Sequence, residues 1–199
     1  MLARILRTVR WPVVALAVVV AIACGPSPPP KITGTYLDPK PAPELTLTDG
    51  LTGRPTSLAE LRGRPVVLTF LYTRCPDVCP LTAQRLRQAQ RTLAADAANV
   101  ELVAVSVDPV NDTPQAVRDF SRNYELSSNW RYLVGTEAML RSAWTAYGVR
   151  AAVDPGRPTI SHSDAIFVID RHGRERALLH TSDPPEELVS LLRYLVAER

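Results

Sequence analysis

Past residue 43 the chain alternates short apolar runs with longer amphipathic segments. Residues 44–48 alternate in polarity as a half-buried strand, and Asp49-Gly50 marks a hairpin-type turn. Ser57-Leu-Ala-Glu60 has the form of a capping box for one helical turn ending near Gly63. Residues 65–72 form a nearly continuous, β-branched apolar run, the pattern of a central strand covered on both faces. A helix is expected from Cys75 to about Asp96, with Leu81, Leu86 and Leu93 along one side and Pro80 kinking or delaying it. Residues 100–107 read as a second buried strand. Thr113-Pro114 then opens a helix reaching about Tyr124, with threonine as cap and proline in the first turn. A strand over 130–134, a helix over 137–147 and a proline-bearing loop over 149–160 follow. A strand over 165–169, a turn at 170–173, a returning strand over 176–179 and a helix over 184–197 complete the chain.

Strands alternating with helices, closed by a hairpin and a helix, predict an α/β fold: a central mixed sheet flanked by helices, with an N-terminal hairpin. The arrangement resembles the thioredoxin fold, with two parallel units and the cysteines placed directly after the first core strand.

The first forty residues carry a different pattern. Arg4, Arg7 and Arg10 precede an apolar run from Trp11 to Ala23, which ends in small residues at Cys24-Gly25. A basic n-region, a short apolar stretch and a small-residue end describe a secretory signal peptide over residues 1–23. The run falls short of the roughly 20 residues that span a bilayer. Cys24 directly after the small residues looks like a lipoprotein cleavage site, with Ala21 where a leucine is usual. Gly25-Pro-Ser-Pro-Pro-Pro30 favours extended polyproline II and has no core to join. Residues 24–40 are therefore read as lipid attachment and tether, and residues 41–199 as the folded domain. The expected location is the cell membrane, lipid-anchored, with the domain on the extracytoplasmic (periplasmic) side.

Composition narrows the function classes. With 46% hydrophobic and 22% charged residues the chain is globular in type. Its net charge of +3 rests almost wholly on arginine and forms no basic stripe with interleaved aromatics, so nucleic acid is not an expected partner. Of the three cysteines, Cys24 lies in the N-terminal segment, leaving Cys75 and Cys79 as the domain's thiols. That is too few for a disulfide scaffold.

Cys75 and Cys79 sit where strand gives way to helix in Phe70-Leu-Tyr-Thr-Arg-Cys75-Pro-Asp-Val-Cys79-Pro80. An i, i+4 spacing puts two helical side chains on one face. Unpaired N–H groups and the positive dipole end at a helix start lower a nearby thiol's pKa. Two activated thiols can close a disulfide or hold a soft metal. The spacing has one residue more than the C-x-x-C of disulfide exchange, and two thiolates are too few for structural zinc but suit Cu(I), which is soft and content with fewer ligands. A third ligand would come from His162, His172 or His180. His162 precedes the 165–169 strand, in a loop that packs near the cysteines in a thioredoxin-like fold. His172 reads as a turn residue and His180 as structural.

Three separated motifs then point one way. Thr73-Arg-Cys75-Pro-Asp-Val-Cys79-Pro80, Val105-Ser-Val-Asp108-Pro-Val-Asn-Asp112-Thr-Pro114 and His162-Ser-Asp-Ala-Ile-Phe-Val-Ile-Asp170 together resemble the Sco/SenC family over residues 45–194. The resemblance implies a thioredoxin-like fold and copper, as Cu(I) and/or Cu(II), held by Cys75, Cys79 and His162. It also implies membrane tethering and service to the dinuclear copper centre of cytochrome c oxidase. The expected partners are the copper-accepting oxidase subunit, other periplasmic copper chaperones or thiol reductants. The same family supplies a second expectation, a thiol–disulfide oxidoreductase using Cys75 and Cys79. Ser161 stands where the family commonly has Asp, a change that bears on ligand basicity and local charge. Asp77 and Ser161 are candidate outer-shell residues, and Asp108 and Asp112 read as loop and cap residues for which the family motif allows a partner-binding or site-supporting role.

Overall fold

The computed structural model describes residues 28–126, 129–153 and 160–198. The expected signal peptide and Cys24 lie outside the described residues. The elements in chain order are β1 (Thr35–Tyr36), β2 (Thr46–Asp49), β3 (Pro55–Ser57), β4 (Val66–Leu71), α1 (Val78–Leu93) and β5 (Glu101–Ser106). They continue with α2 (Pro114–Asn123), β6 (Trp130–Val134), α3 (Glu137–Ala146), β7 (Ala151–Val153), β8 (Ile160–His162), β9 (Ile166–Ile169), β10 (Glu175–Leu179) and α4 (Pro185–Ala197).

Among the described residues an 8-stranded sheet runs in the order β1-β10-β9-β4-β5-β6-β2-β3. Its centre, β4, β5 and β6, is parallel, and β9 joins β4 antiparallel. Every residue of β4 and β5 is buried, as continuous apolar runs between two covered faces require. The expected hairpin is present: β2 pairs antiparallel with β3. Its turn is longer than two residues, closed by the Asp49 carboxylate on Leu51 N–H and by Gly53 at φ 72°. The capping box at Ser57 forms reciprocally, with Glu60 N–H on Ser57 Oγ and Ser57 N–H on Glu60 Oε2. Thr113 caps α2 by accepting Ala116 N–H at 3.2 Å.

Four details depart from the sequence reading. The chain joins the sheet before residue 41, because Thr35–Tyr36 pairs with β10 at the sheet edge. Leu81 is 53% exposed rather than lining the core side of α1, whereas Leu86 and Leu93 are buried. Helix α1 begins at Val78, after Cys75, and not at the cysteine. Pro80 explains that start. It has no N–H to donate and its ring excludes the carbonyl four residues back, so a helix must begin late enough to leave Pro80 in the first turn. The expected loop over 149–160 instead holds β7 and the first residue of β8, which pair as an antiparallel hairpin, with positions 154–159 outside the described residues.

The core is closed by aromatic contacts and by α1 packing on α4. Tyr147, at the end of α3, meets Phe70 at 5.8 Å and Phe167 at 5.1 Å between ring centroids. Buried Glu101, 1% exposed, is paired with two cations, Arg64 at 2.6 Å and Arg131 at 3.1 Å.

Asp170, in the β9–β10 turn, accepts N–H groups of His172 and Arg174 and the guanidinium groups of Arg174 and Arg176. Burial pushes its carboxyl up, but these donors outweigh burial and hold it below the ordinary 3.8. Its stabilising contribution is therefore fully present above that value and is lost as pH falls through the lowered folded value. Asp170→Asn should flatten the fall in melting temperature below about pH 4, relative to wild type, and this is read from thermal melts across an acid series. A variant with an unchanged acid profile would contradict this account of the turn.

Candidate metal centre

The end of β4, the start of α1 and the end of β8 converge on one spot. β4 delivers Tyr72 and the segment Thr73–Asp77, which turns into α1. Cys79 occupies the first turn of α1 and is fully buried, while Cys75, just before the helix, is half-buried. The two sulfurs thus meet by a bend in the chain and not along one helix face. Cys75 Sγ accepts the Cys79 backbone N–H at 3.4 Å, so the sulfur caps one of the helix's orphan donors.

Electrostatics make the two thiols unequal. The hydrogen bond from Cys79 lowers the Cys75 pKa against the opposing effect of burial, and contacts from His162 and the Asp77 and Cys79 backbone lower it further. The same bond, with burial, raises the Cys79 thiol well above its ordinary value. The half-buried Cys75 is therefore the more acidic sulfur of the pair and the buried Cys79 the less acidic.

His162 ends β8 and is brought over the sulfurs by the β7–β8 hairpin, in which it lies opposite Ala151. Its Nε2 is 3.5 Å from Cys79 Sγ, across 83 residues of sequence. Nδ1 lies 3.0 Å from the Ser163 carbonyl, which can only accept, so in the neutral ring Nδ1 carries the proton and Nε2 offers its lone pair to the sulfurs. The Tyr72 ring meets the imidazole edge-on at 5.8 Å, and its hydroxyl accepts Ile160 N–H at 3.2 Å, fixing the hairpin to the end of β4.

The ligand atoms of Cys75, Cys79 and His162 all lie within 4.8 Å of one another, and these three form the one such group among the described residues. Three donors on one ion at metal–sulfur bonds of about 2.3 Å, the zinc–thiolate length, sit roughly 4 Å apart, so the set needs little movement to close on a metal. Two thiolates and an imidazole whose far nitrogen is anchored to a carbonyl suit a soft ion.

The other predicted residues fall around this centre in different ways. Asp77 precedes α1 with an exposed side chain that makes no capping bond, and only its backbone serves the Cys75 sulfur. Ser161 is exposed on β8. His172 is exposed in the β9–β10 turn, and His180 is exposed after β10 with its ring on the Asp164 carbonyl. Asp108 closes its own loop on Asn111.

Asp112 does more than a loop or cap residue. Its carboxylate, 5% exposed, accepts Thr73 N–H and Oγ at 2.8 Å each, Ser106 Oγ at 2.6 Å and Tyr132 OH at 2.9 Å. Burial pushes this carboxyl up while those donors pull it down, and burial prevails. Through Thr73 it pins the segment that carries Cys75. Its place in the motif was visible in the sequence, but not these partners. Tyr72 reads as strand there, and nothing in the sequence marks it as the hairpin's anchor.

The SCO1/SenC family model matches residues 40–197. This chain belongs to the SCO1/SenC family. A SCO1 protein homologue of Bacillus subtilis is 28% identical over 125 residues, 61% of this chain and 65% of that relative, so the match spans less than two thirds of the relative's length. The Bradyrhizobium japonicum ScoI structure with copper bound superposes with a TM-score of 0.69 at 29% identity, covering 78% of this chain and 99% of that one. The apo Sco1 solution structure from Thermus thermophilus gives 0.70 at 29% identity, over 81% and 95%. The fold is accordingly the thioredoxin-like fold of Sco proteins. Among the described residues no helix is long and apolar enough to cross a membrane.

Proposed function

We propose that this chain is a membrane-tethered, extracytoplasmic copper chaperone. It binds one copper through Cys75, Cys79 and His162 and delivers it to, or helps assemble, the dinuclear copper centre of cytochrome c oxidase. The observation that carries the reading is the convergence of two sulfurs and one imidazole nitrogen within 4.8 Å, in a family that includes a copper-bound relative. The site suits transfer as well as capture. Cys79 is buried and anchors, whereas half-buried Cys75 is open to an incoming thiolate that displaces the protein's ligands one at a time. The tether expected from Cys24 and the proline-rich stretch supports a place at the membrane surface.

Titrating the reduced full chain with copper against a chelating competitor tests the reading. Wild type should retain about one copper per chain, and His162→Ala should lose affinity by more than the roughly 10–100-fold that outer-shell changes cost. Retention by His162→Ala equal to wild type would remove His162 from the site.

A second reading rests on the unequal thiols. A half-buried, more acidic Cys75 beside a buried Cys79 is also an arrangement for thiol–disulfide exchange: the Cys75 thiolate attacks a partner disulfide and releases one partner thiol, and Cys79 then displaces the second, leaving a Cys75–Cys79 disulfide. The two uses exclude each other at any moment, since copper needs both sulfurs free. Metal-free His162→Ala that reduces a disulfide-bearing partner at the wild-type rate would favour exchange, because that chemistry needs no histidine ligand. Copper dependence lost in the same variant favours the chaperone.

A further inference from the structure

A chain of polar side chains links the first turns of α1 to the segment carrying His162, and the centre described above does not use it. Thr82, one turn beyond Cys79 on α1, is 1% exposed. Its hydroxyl lies 2.7 Å from that of Thr181, in the segment after β10, and 3.1 Å from the Val78 carbonyl. Thr181 gives both its N–H, at 2.9 Å, and its hydroxyl, at 2.8 Å, to the Asp164 carboxylate. A carboxylate accepts only, so Thr181 gives its hydroxyl proton to Asp164, and the single hydroxyl proton of Thr82 is shared between the Val78 carbonyl and the Thr181 oxygen. Asp164 lies two residues beyond His162, and its own carbonyl is held by the His180 ring. The next carbonyl, that of Ala165, is held by Thr69 Oγ at 3.0 Å in the core.

These bonds close a loop. From Cys79 the path runs along the helix to Thr82, across to Thr181 and Asp164, back through Ser163 to His162, and across 3.5 Å to Cys79 Sγ. Among the described residues the β7–β8 hairpin pairs only with itself and is outside the main sheet. Besides Tyr72, which holds Ile160, and Ser163, whose hydroxyl accepts Arg150 N–H within the hairpin, the first side chain beyond His162 that links this segment towards the cysteine helix is Asp164.

We propose that Asp164, through Thr181 and Thr82, is a positioning residue that sets the distance and orientation of the His162 imidazole relative to Cys79. Bonds that orient a ligand act on metal affinity by roughly 10–100-fold. The inference draws on the copper reading for one arm of its test and stands on hydrogen-bond geometry for the other.

The test compares the full chain with Asp164→Ala, Thr181→Val and Thr181→Ser. Serine keeps the hydroxyl link and valine keeps the shape without it, so the valine variant decides the matter if Asp164→Ala fails to fold. In the reduced, metal-free chain, imidazole nitrogen NMR should show one Nδ1-protonated tautomer of His162 in wild type and Thr181→Ser. Thr181→Val and Asp164→Ala should show mixed tautomers. In copper competition, the same two variants should bind about 10–100-fold more weakly, with Thr181→Ser near wild type. An unchanged His162 ring spectrum in folded Thr181→Val overturns the proposal, as does copper affinity within about twofold of wild type in a chain that binds the metal. If wild type holds no copper, the chaperone reading falls and the NMR arm alone decides this one.

Discussion

Cys75→Ser should abolish copper retention by the reduced chain under competition that leaves wild type loaded. The sulfur removed is the one kept as thiolate by the Cys79 bond and the helix-start N–H groups, and serine's hydroxyl is not ionised at neutral pH. Two donors would remain, Cys79 Sγ and His162 Nε2. The loss should therefore exceed the roughly 10–100-fold assigned to outer-shell residues. Because Cys75 is half-buried and packs only partly into the core, the variant should keep its melting temperature within a few degrees. Competition titration with a parallel thermal melt separates the two effects. Copper retention equal to wild type in a folded Cys75→Ser chain would mean that the metal sits elsewhere.

The largest stability effect is expected at Asp112→Ala. Alanine leaves the Ser106 and Tyr132 hydroxyls, both at 0% exposure, and the Thr73 N–H without their acceptor. Each buried donor left unpaired costs roughly 1–3 kcal/mol, so a loss of about 3 kcal/mol or more is expected by urea denaturation. Asp112→Asn retains one acceptor oxygen and should lose less. Both variants free Thr73, and with it the segment bearing Cys75, so copper affinity should fall in the same order. An Asp112→Ala chain as stable as wild type would show that these bonds are replaced by water without cost.

Much of this was legible along the chain because the core strands and helices carry their own patterns. The β4 and β5 runs, the Thr113 cap and the capping box at Ser57 are local signals, and local physics decides them. The cysteine pair and His162 were legible as residue types and as motifs. What could not be read is geometry made by distant partners. The helix start fell at Val78 because of Pro80, a steric rule that outweighs the i, i+4 pattern of the cysteines. Leu81 looked like core, yet it stays exposed on the outer side of the first turn. Buried Glu101 and Asp112 broke no visible pattern in the sequence, because their counterparts lie in other elements: Arg64 and Arg131 for one, Thr73 and Tyr132 for the other. The β7–β8 hairpin hid behind prolines that read as loop, and the edge strand Thr35–Tyr36 behind a stretch that read as tether. Each of these is a long-range pairing that hydrophobic periodicity does not encode.

The central claim is that Cys75, Cys79 and His162 act as one copper site. X-ray absorption on the copper-loaded, reduced full chain tests it most directly, because the fine structure beyond the copper edge reports the atoms bound to the ion. The account predicts two sulfurs and one imidazole nitrogen per copper in wild type, with the nitrogen lost in His162→Ala. A first shell without sulfur, or one unchanged by His162→Ala, would contradict it.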